Sequence, residues 1–292
     1  MRVEFSNPVA GERAFLRRDI LRTLAQSVRV KLRRGLENVS LYEIGHVYLW
    51  DPQAPAIPAL PGGVRPTDEQ LAALDAGLPA QPMHVAGILT GNAVETGWLG
   101  ERRAVDWSDA VEAVRRISDR LGADLTLDQP APDDVPAQWH PGRMARVLAG
   151  QTAVGVVGEL HPHVNEALGF PAHSAAFELD LTALFAALDN APVQARPIST
   201  FPPVKQDLAF TVPQSVTAAA LESVIREAAG EVLESIELFD VFTGDQVGEG
   251  MKSLAYAVRF RAGDRTLGSE DSETIRKAII DRAAELGAQL RA

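Results

Sequence analysis

Residues 207–212 read DLAFTV and open the part of the chain in which apolar residues are most regularly spaced. Their pattern predicts a β-strand with one buried face. Leu221, Val224, Ile225 and Ala228 then follow the i, i+3, i+4, i+7 spacing of an amphipathic helix. Further strands are predicted over 233–242 and 254–261, a second helix over 269–286 and a short strand over 288–291.

The resulting order, βαββαβ, is that of the split-βαβ, ferredoxin-like arrangement. Upstream, the pattern is mixed and predicts an α+β chain of two domains, residues 1–190 and 198–292, joined by a proline-rich linker at 189–204. The upstream elements are predicted as helices over 14–34, 106–121 and 161–168, strands over 39–49, 84–90, 124–127, 144–148, 153–157 and 176–181, and loops over 51–82 and 128–142. Apolar residues at both parities in 39–49 predict a strand covered on both sides.

Composition places the chain among ordinary globular proteins, with 292 residues of which 46% are hydrophobic and 23% charged. The net charge of −11 and the absence of cysteine exclude a generally basic nucleic-acid-binding chain, disulfides and thiol chemistry. No apolar run reaches the about 18 residues that a membrane span needs, and the start lacks a signal-peptide core. We therefore expect a cytoplasmic protein without a membrane partner, whose abrupt entry into a helix suggests one piece of a larger assembly.

The amino-terminal 40 residues are locally basic, with nine basic and four acidic side chains. Two interpretations remain open at this point. The cations can form a solvated helix face whose last members complement the helix carboxyl end. Alternatively, they form a surface that meets a polyanion or an acidic partner.

Motifs of enzyme chemistry are missing from the sequence. His161 and His163 lie two residues apart around Pro162, which differs from the i, i+4 pair of a helical zinc site, and we expect them to cap and pack at a turn. The glycine-rich segments 150–158 and 244–250 match neither a phosphate-binding loop nor a dinucleotide fingerprint. The sequence thus predicts no catalytic residue and no metal ligand in this chain.

One group of side chains near the carboxyl end suggests recognition of single-stranded RNA. An aromatic ring ends one strand, and a hydroxyl and several cations follow, which would supply stacking, base-edge hydrogen bonds and phosphate contacts. These residues are Phe242, Lys252, Ser253, Arg259, Arg261 and Arg265. Against this interpretation, residues 198–292 hold ten basic and 15 acidic side chains, and an aromatic residue such as Phe242 is more often part of a core.

Five short motifs in this region resemble the ferredoxin-fold anticodon-binding domain that ends the β subunit of bacterial phenylalanyl-tRNA synthetases. They are FPPVKQDLA at 201–209, FDVFTG at 239–244, GMKSLA at 250–255, RTL at 265–267 and GAQLR at 287–291. Upstream motifs resemble the catalytic-like core of the same subunit, a class II synthetase-like antiparallel sheet without the active-site residues. They are SNP at 6–8, LR at 16–17, LYEIGHVY at 41–48, HPGR at 140–143, VGVVGELHP at 154–162 and FELDL at 177–181.

The resemblance implies a portion of an α2β2 phenylalanine–tRNA ligase. The α subunit of the family uses ATP and Mg²⁺ to activate phenylalanine and esterifies it to tRNA-Phe, whereas this chain alone is expected to be inactive and to hold no cofactor. The β core packs on α, and the terminal domain holds the anticodon. In the family, a strand-end aromatic stacks on an anticodon base beside an alanine and a serine, which here match Phe242, Ala209 and Ser253. The family more often has tyrosine at position 242 and arginine at position 206, where this chain has Gln206.

The resemblance also implies that modules which precede this core in the family, including an editing domain, lie outside this sequence. We therefore expect the carboxyl-terminal part of the subunit, with a truncated, noncatalytic core. The alternative is a stand-alone, noncatalytic RNA-binding or regulatory module derived from that subunit. Coding sequence upstream of Met1 would discriminate between the two.

Overall fold

The computed structural model describes Glu4 and residues 14–98, 100–188 and 199–291, and the chain forms two compact units. The first unit comprises Met1–Ala191 and the second Pro192–Ala292. Most of the predicted linker, residues 189–198, lies outside the described residues.

An antiparallel six-stranded sheet forms the centre of the first unit. In chain order the elements of this unit are α1 (Leu21–Arg33), β1 (Val39–His46), α2 (Asp68–Ala76), β2 (Met83–Thr90), β3 (Asn92–Val94), β4 (Arg103–Ala104), α3 (Trp107–Leu121), β5 (Leu125–Asp128), β6 (Trp139–Ala149), β7 (Thr152–Leu160), α4 (Pro162–Leu168), β8 (Ala175–Asp180) and α5 (Leu181–Ala187). The strand order in the sheet is β1-β2-β8-β7-β6-β5, and β3 pairs with β4 in a separate ribbon. Gly150 lies in the two-residue turn between β6 and β7 with φ +59°, a conformation that favours glycine.

Helices pack on both faces of this sheet and enclose one core on each face. Side chains along each strand alternate between these two cores. On β2, Ala86 and Ile88 pack in the core beneath α1, whereas Val85 packs in the core beneath α3 and α5. On β8, Ala176 belongs to the first core and Phe177 to the second. Glu178 therefore lies on the α1 face of the sheet.

Two expectations for the amino-terminal region are wrong. The predicted helix over 14–34 begins only at Leu21, because the backbone N–H groups of Ile20 and Leu21 donate to the carboxylate of Glu178 and fix the helix start there. The strand predicted over 39–49 is not covered on both sides. It lies at the sheet edge, where Tyr42 is 73% exposed and Ile44 is 56% exposed, because α3 and α5 pack over inner strands.

The proline-rich segment predicted as a loop over 51–82 contains α2. Thr67 caps this helix by accepting from the N–H of Gln70, whose side chain in turn accepts from the N–H of Thr67. This capping box is a local signal that the high proline content obscured. The loop predicted over 128–142 ends earlier, since β6 begins at Trp139, a fully buried core residue.

The second unit confirms the predicted βαββαβ arrangement. Its elements are β9 (Val204–Pro213), α6 (Ala218–Ala229), β10 (Leu233–Phe242), β11 (Met251–Phe260), α7 (Ser269–Ala284) and β12 (Gln289–Leu290). The strands form an antiparallel sheet in the order β10-β11-β9-β12. Leu208 and Phe210 on β9 pack with Leu221 of α6 and Ile279 of α7, so both helices cover one face of the sheet.

Candidate nucleic-acid interface

The sheet face opposite α6 and α7 is here called the helix-free face. On β9 and β11, alternate residues from Leu208 and Leu254 point into the helix-covered core, so the residues between them form the helix-free face. The face consists of Lys205, Asp207, Ala209 and Thr211 on β9, Ser253, Ala255, Ala257 and Arg259 on β11, and the β10 residues paired with them.

Small side chains make the centre of this face. Ala209 lies directly opposite Ala255, and Thr211 lies opposite Ser253. Because these side chains project little above the backbone, they form a shallow floor on which a flat ring can lie. On the other side of β11, Phe242 pairs with Ser253 and borders the floor.

The Phe242 ring is held at the end of β10 by the turn that follows. Its side chain is 37% exposed, which leaves ring surface open to solvent. A Cβ added to Gly244 would lie 3.0 Å from the Cζ atom of this ring. The glycine therefore allows the ring to lie against the backbone of the turn, in a fixed place beside the floor.

One hydroxyl group, that of Ser253, lies beside the ring, and a second, that of Thr211, lies one strand further away. Ser253 is 5% exposed, so its side chain forms part of the floor rather than projecting from it. Among the described residues, neither Ser253 nor Thr211 has a hydrogen-bond partner for its hydroxyl. These hydroxyls are available to the edge of a planar group that stacks on Phe242.

Two of the predicted cations lie away from this group. Lys252 pairs with the core residue Val212 and so projects to the other side of the sheet, where its Nζ donates to the carbonyl of Gln214 at 3.1 Å. Arg259 is exposed on the helix-free face, but it follows Ser253 by six residues, or about 20 Å of strand.

The other two predicted cations stabilise the domain. The guanidinium of Arg261 pairs with Glu234 at 2.8 Å and donates to the carbonyl of Phe201. Arg265 makes two hydrogen bonds, of 2.7 and 2.9 Å, to Asp271 in the first turn of α7. The hydrogen bond to Asp271 raises the pKa of Arg265, and the same bond lowers the pKa of Asp271 to about 2.

The structure thus brings together Ala209, Phe242 and Ser253 and leaves Lys252, Arg259, Arg261 and Arg265 outside this group. Their contacts with RNA stay a prediction. Sequence reasoning missed Thr211, which completes the hydroxyl pair and could have been found from strict alternation along β9.

The first unit has its own buried polar group at the sheet centre. Glu178 accepts hydrogen bonds from the N–H groups of Ile20 at 3.0 Å and Leu21 at 3.2 Å, and from Nδ1 of His84 at 2.8 Å. The carboxylate is nearly buried, and both of its oxygens accept from these donors. Because two of the donors are the backbone N–H groups at the start of α1, Glu178 acts as a structural clamp for this helix.

The histidines show local structural roles as well. The ring of His161 caps α4 by accepting from the N–H of His163 at 3.2 Å, which confirms the predicted capping for His161. Among the described residues, the side chain of His163 caps nothing and is 86% exposed, so the predicted capping is wrong for this residue. In the part of the chain that the structure describes, no three histidine or carboxylate side chains are placed to hold a metal ion. Within the same residues, no helix is long and apolar enough to cross a membrane.

Comparison with known families matches both units. Residues 199–291 match the ferredoxin-fold anticodon binding domain, and residues 1–181 match the phenylalanyl tRNA synthetase beta chain CLM domain. The second unit is thus a domain of the anticodon-binding class. The chain as a whole belongs to the family of phenylalanyl-tRNA synthetase beta chains.

Similar proteins carry the name phenylalanine–tRNA ligase beta subunit. The one from Bifidobacterium longum is 74% identical over 290 residues, which cover 99% of this chain and 33% of that protein. The one from Thermobifida fusca is 42% identical over 297 residues, covering 99% of this chain and 35% of that protein. The one from Mycolicibacterium paratuberculosis is 44% identical over 286 residues, covering 98% and 34%. This chain therefore spans about a third of the length of these relatives.

Proposed function

We propose that this chain is part of a phenylalanine–tRNA ligase and binds the anticodon of tRNA-Phe through the helix-free face of residues 198–292. The observation that carries the proposal is the group of Phe242, Ser253 and Ala209 on one sheet face of a domain whose family is named for anticodon binding. An exposed ring supplies stacking, worth about 1–3 kcal/mol per base, and free hydroxyls supply hydrogen bonds to a base edge. The unpaired bases of an anticodon expose both a flat ring for stacking and an edge for hydrogen bonds.

The sheet of residues 1–190 has the role of a noncatalytic support for an α subunit. The carboxylate of Glu178 is buried and accepts hydrogen bonds from backbone and histidine donors of this chain. A catalytic carboxylate would instead have to be accessible to a substrate. Activation of phenylalanine with ATP and Mg²⁺ then falls to the α subunit, and no step of it is assigned to residues of this chain. The assembled enzyme works in the cytoplasm, where tRNA is aminoacylated.

The surface around α1 and β1 offers features for the subunit contact. A cleft of about 1110 Å³ is lined by residues of both elements, including Arg22, and by the segment before α1, including Arg18. On the opposite face of the sheet, the edge strand exposes Tyr42 and Ile44, since Ile44 pairs with Val85 of the core beneath α3 and α5. These exposed apolar side chains suit the apolar centre of a contact with a protein partner.

Co-purification with a phenylalanyl-tRNA synthetase α subunit tests this proposal. We expect the two chains to elute as one complex, and we expect the complex to retain labelled tRNA-Phe more strongly than the α subunit alone does. Ile44→Lys on the exposed edge is expected to weaken the complex, whereas Leu71→Lys on the exposed side of α2 serves as a matched control. Separate elution of the chains, with no gain in tRNA retention, would contradict the proposal.

A further inference from the structure

A β-bulge in β10 changes which side chains reach the helix-free face. Leu238 pairs with the core residue Tyr256, and Asp240 pairs with Ala255, so Phe239 between them has no partner of its own. Without the bulge, strict alternation would place Phe239 and Phe242 on opposite faces of the sheet. The extra residue lets both rings share one face.

The pairing of the neighbours fixes the direction of Phe239. Leu238 packs against the helix-covered core, so the next side chain points to the opposite face. After the bulge, Asp240 also points to the helix-free face because it pairs with Ala255, and Phe242 does so because it pairs with Ser253. Phe239 is 55% exposed, more than Phe242 at 37%.

An exposed phenylalanine at this place has no evident role in the packing of the domain. The core beneath α6 and α7 is filled by other residues, and Phe239 projects away from it. Strand β10 is also the edge of its sheet, so its outer side is open to a partner that runs along it. The two rings are three residues apart, or about 10 Å along the strand.

We propose that Phe239 is a second stacking platform, for a nucleotide next to the one that stacks on Phe242; this rests on the anticodon binding proposed above. Small RNA-binding sheets use two or three aromatic side chains in this way for successive bases. Around the floor, the helix-free face carries the carboxylates of Asp207, Glu237 and Asp240, which repel phosphates, whereas its cations Lys205 and Arg259 lie at the end of the strands away from Phe242. The nucleotides therefore turn their bases to the face and their backbone to solvent.

The test uses the 292-residue chain and an anticodon stem-loop RNA of tRNA-Phe sequence that carries 2-aminopurine at one loop position at a time. Stacking on a protein ring quenches the fluorescence of this base, so each position reports its own platform. The variants are Phe242→Ala, Phe239→Ala and Val241→Ala. Val241 is the matched control, because it is 54% exposed on the same strand but pairs with the core residue Leu254 and points to the other face.

We expect Phe239→Ala to restore fluorescence at one loop position and Phe242→Ala to restore it at a neighbouring one, each with a loss of affinity of about 5- to 150-fold. Phe239→Trp is expected to keep the quenching, and Val241→Ala to change neither readout. If Phe239→Ala leaves quenching and affinity at wild-type values while Phe242→Ala abolishes the quenching and weakens the binding, the proposal of a second platform is wrong. The proposal of anticodon binding then stands. If the wild-type chain neither binds nor quenches the stem-loop, both proposals are wrong.

Discussion

Replacing Phe242 by alanine is expected to weaken the binding of tRNA-Phe to this chain about 5- to 150-fold, the loss of one base–aromatic stack of about 1–3 kcal/mol. The ring borders a floor of small side chains and is partly exposed, so its removal takes away stacking surface without opening the core. Filter binding or fluorescence anisotropy at low ionic strength measures the change, because a chain of net charge −11 is expected to bind RNA weakly and with strong salt dependence.

Two further variants separate stacking from hydrogen bonding at this position. Phe242→Tyr keeps an aromatic face, whereas Phe242→Leu keeps an apolar side chain without one. We expect the tyrosine variant to bind at least as tightly as wild type and the leucine variant to behave like alanine. Equal affinity of the leucine variant and the wild type would show that Phe242 does not stack on a base.

Glu178→Ala is expected to destabilise the first unit by about 3–5 kcal/mol, the usual result of removing one partner from a buried charged group. The substitution leaves the N–H groups of Ile20 and Leu21 and Nδ1 of His84 without their acceptor in a buried place. Trp139, fully buried in the core beneath α1, reports the unfolding of this unit by fluorescence in a urea titration.

A matched carboxylate provides the control for this variant. Glu112 pairs with Arg116 on the exposed side of α3, and its side chain is 54% exposed. Surface pairs of this kind contribute little, so we expect Glu112→Ala to change the free energy of unfolding by less than about 0.5 kcal/mol. A change of similar size in both variants would show that Glu178 does not clamp the start of α1.

The sequence was most informative where apolar spacing is regular and the element is covered on one face. The second unit follows its pattern closely, because α6 packs through Leu221 and Ile225, at the spacing that predicts a helix. The start of α1 could not be predicted in this way. Its position depends on Glu178, which lies more than 150 residues further along the chain and leaves no local signal.

The candidate site likewise contains some residues whose placement the sequence predicts and others whose placement it does not. The motif FDVFTG places an aromatic at the end of β10, and the pairing of Phe242 with Ser253 follows from the ferredoxin-like order. The charged residues were harder to assign, because Arg265 and Asp271 make a local cap whose pairing a linear motif does not show. The bulge at Phe239 is likewise a property of strand pairing, and alternation counted back from Phe242 without the bulge places this ring on the opposite face.

The central claim, that the helix-free face binds the anticodon, is tested most directly by a double-mutant cycle between protein and RNA. Wild-type chain and Phe242→Ala are each titrated with tRNA-Phe and with an altered transcript that is abasic at the three anticodon positions only, because stacking itself tolerates any base. The account predicts that Phe242→Ala loses about 5- to 150-fold in affinity for tRNA-Phe and much less for the altered transcript. An equal loss for both RNAs, or no loss for either, would contradict it.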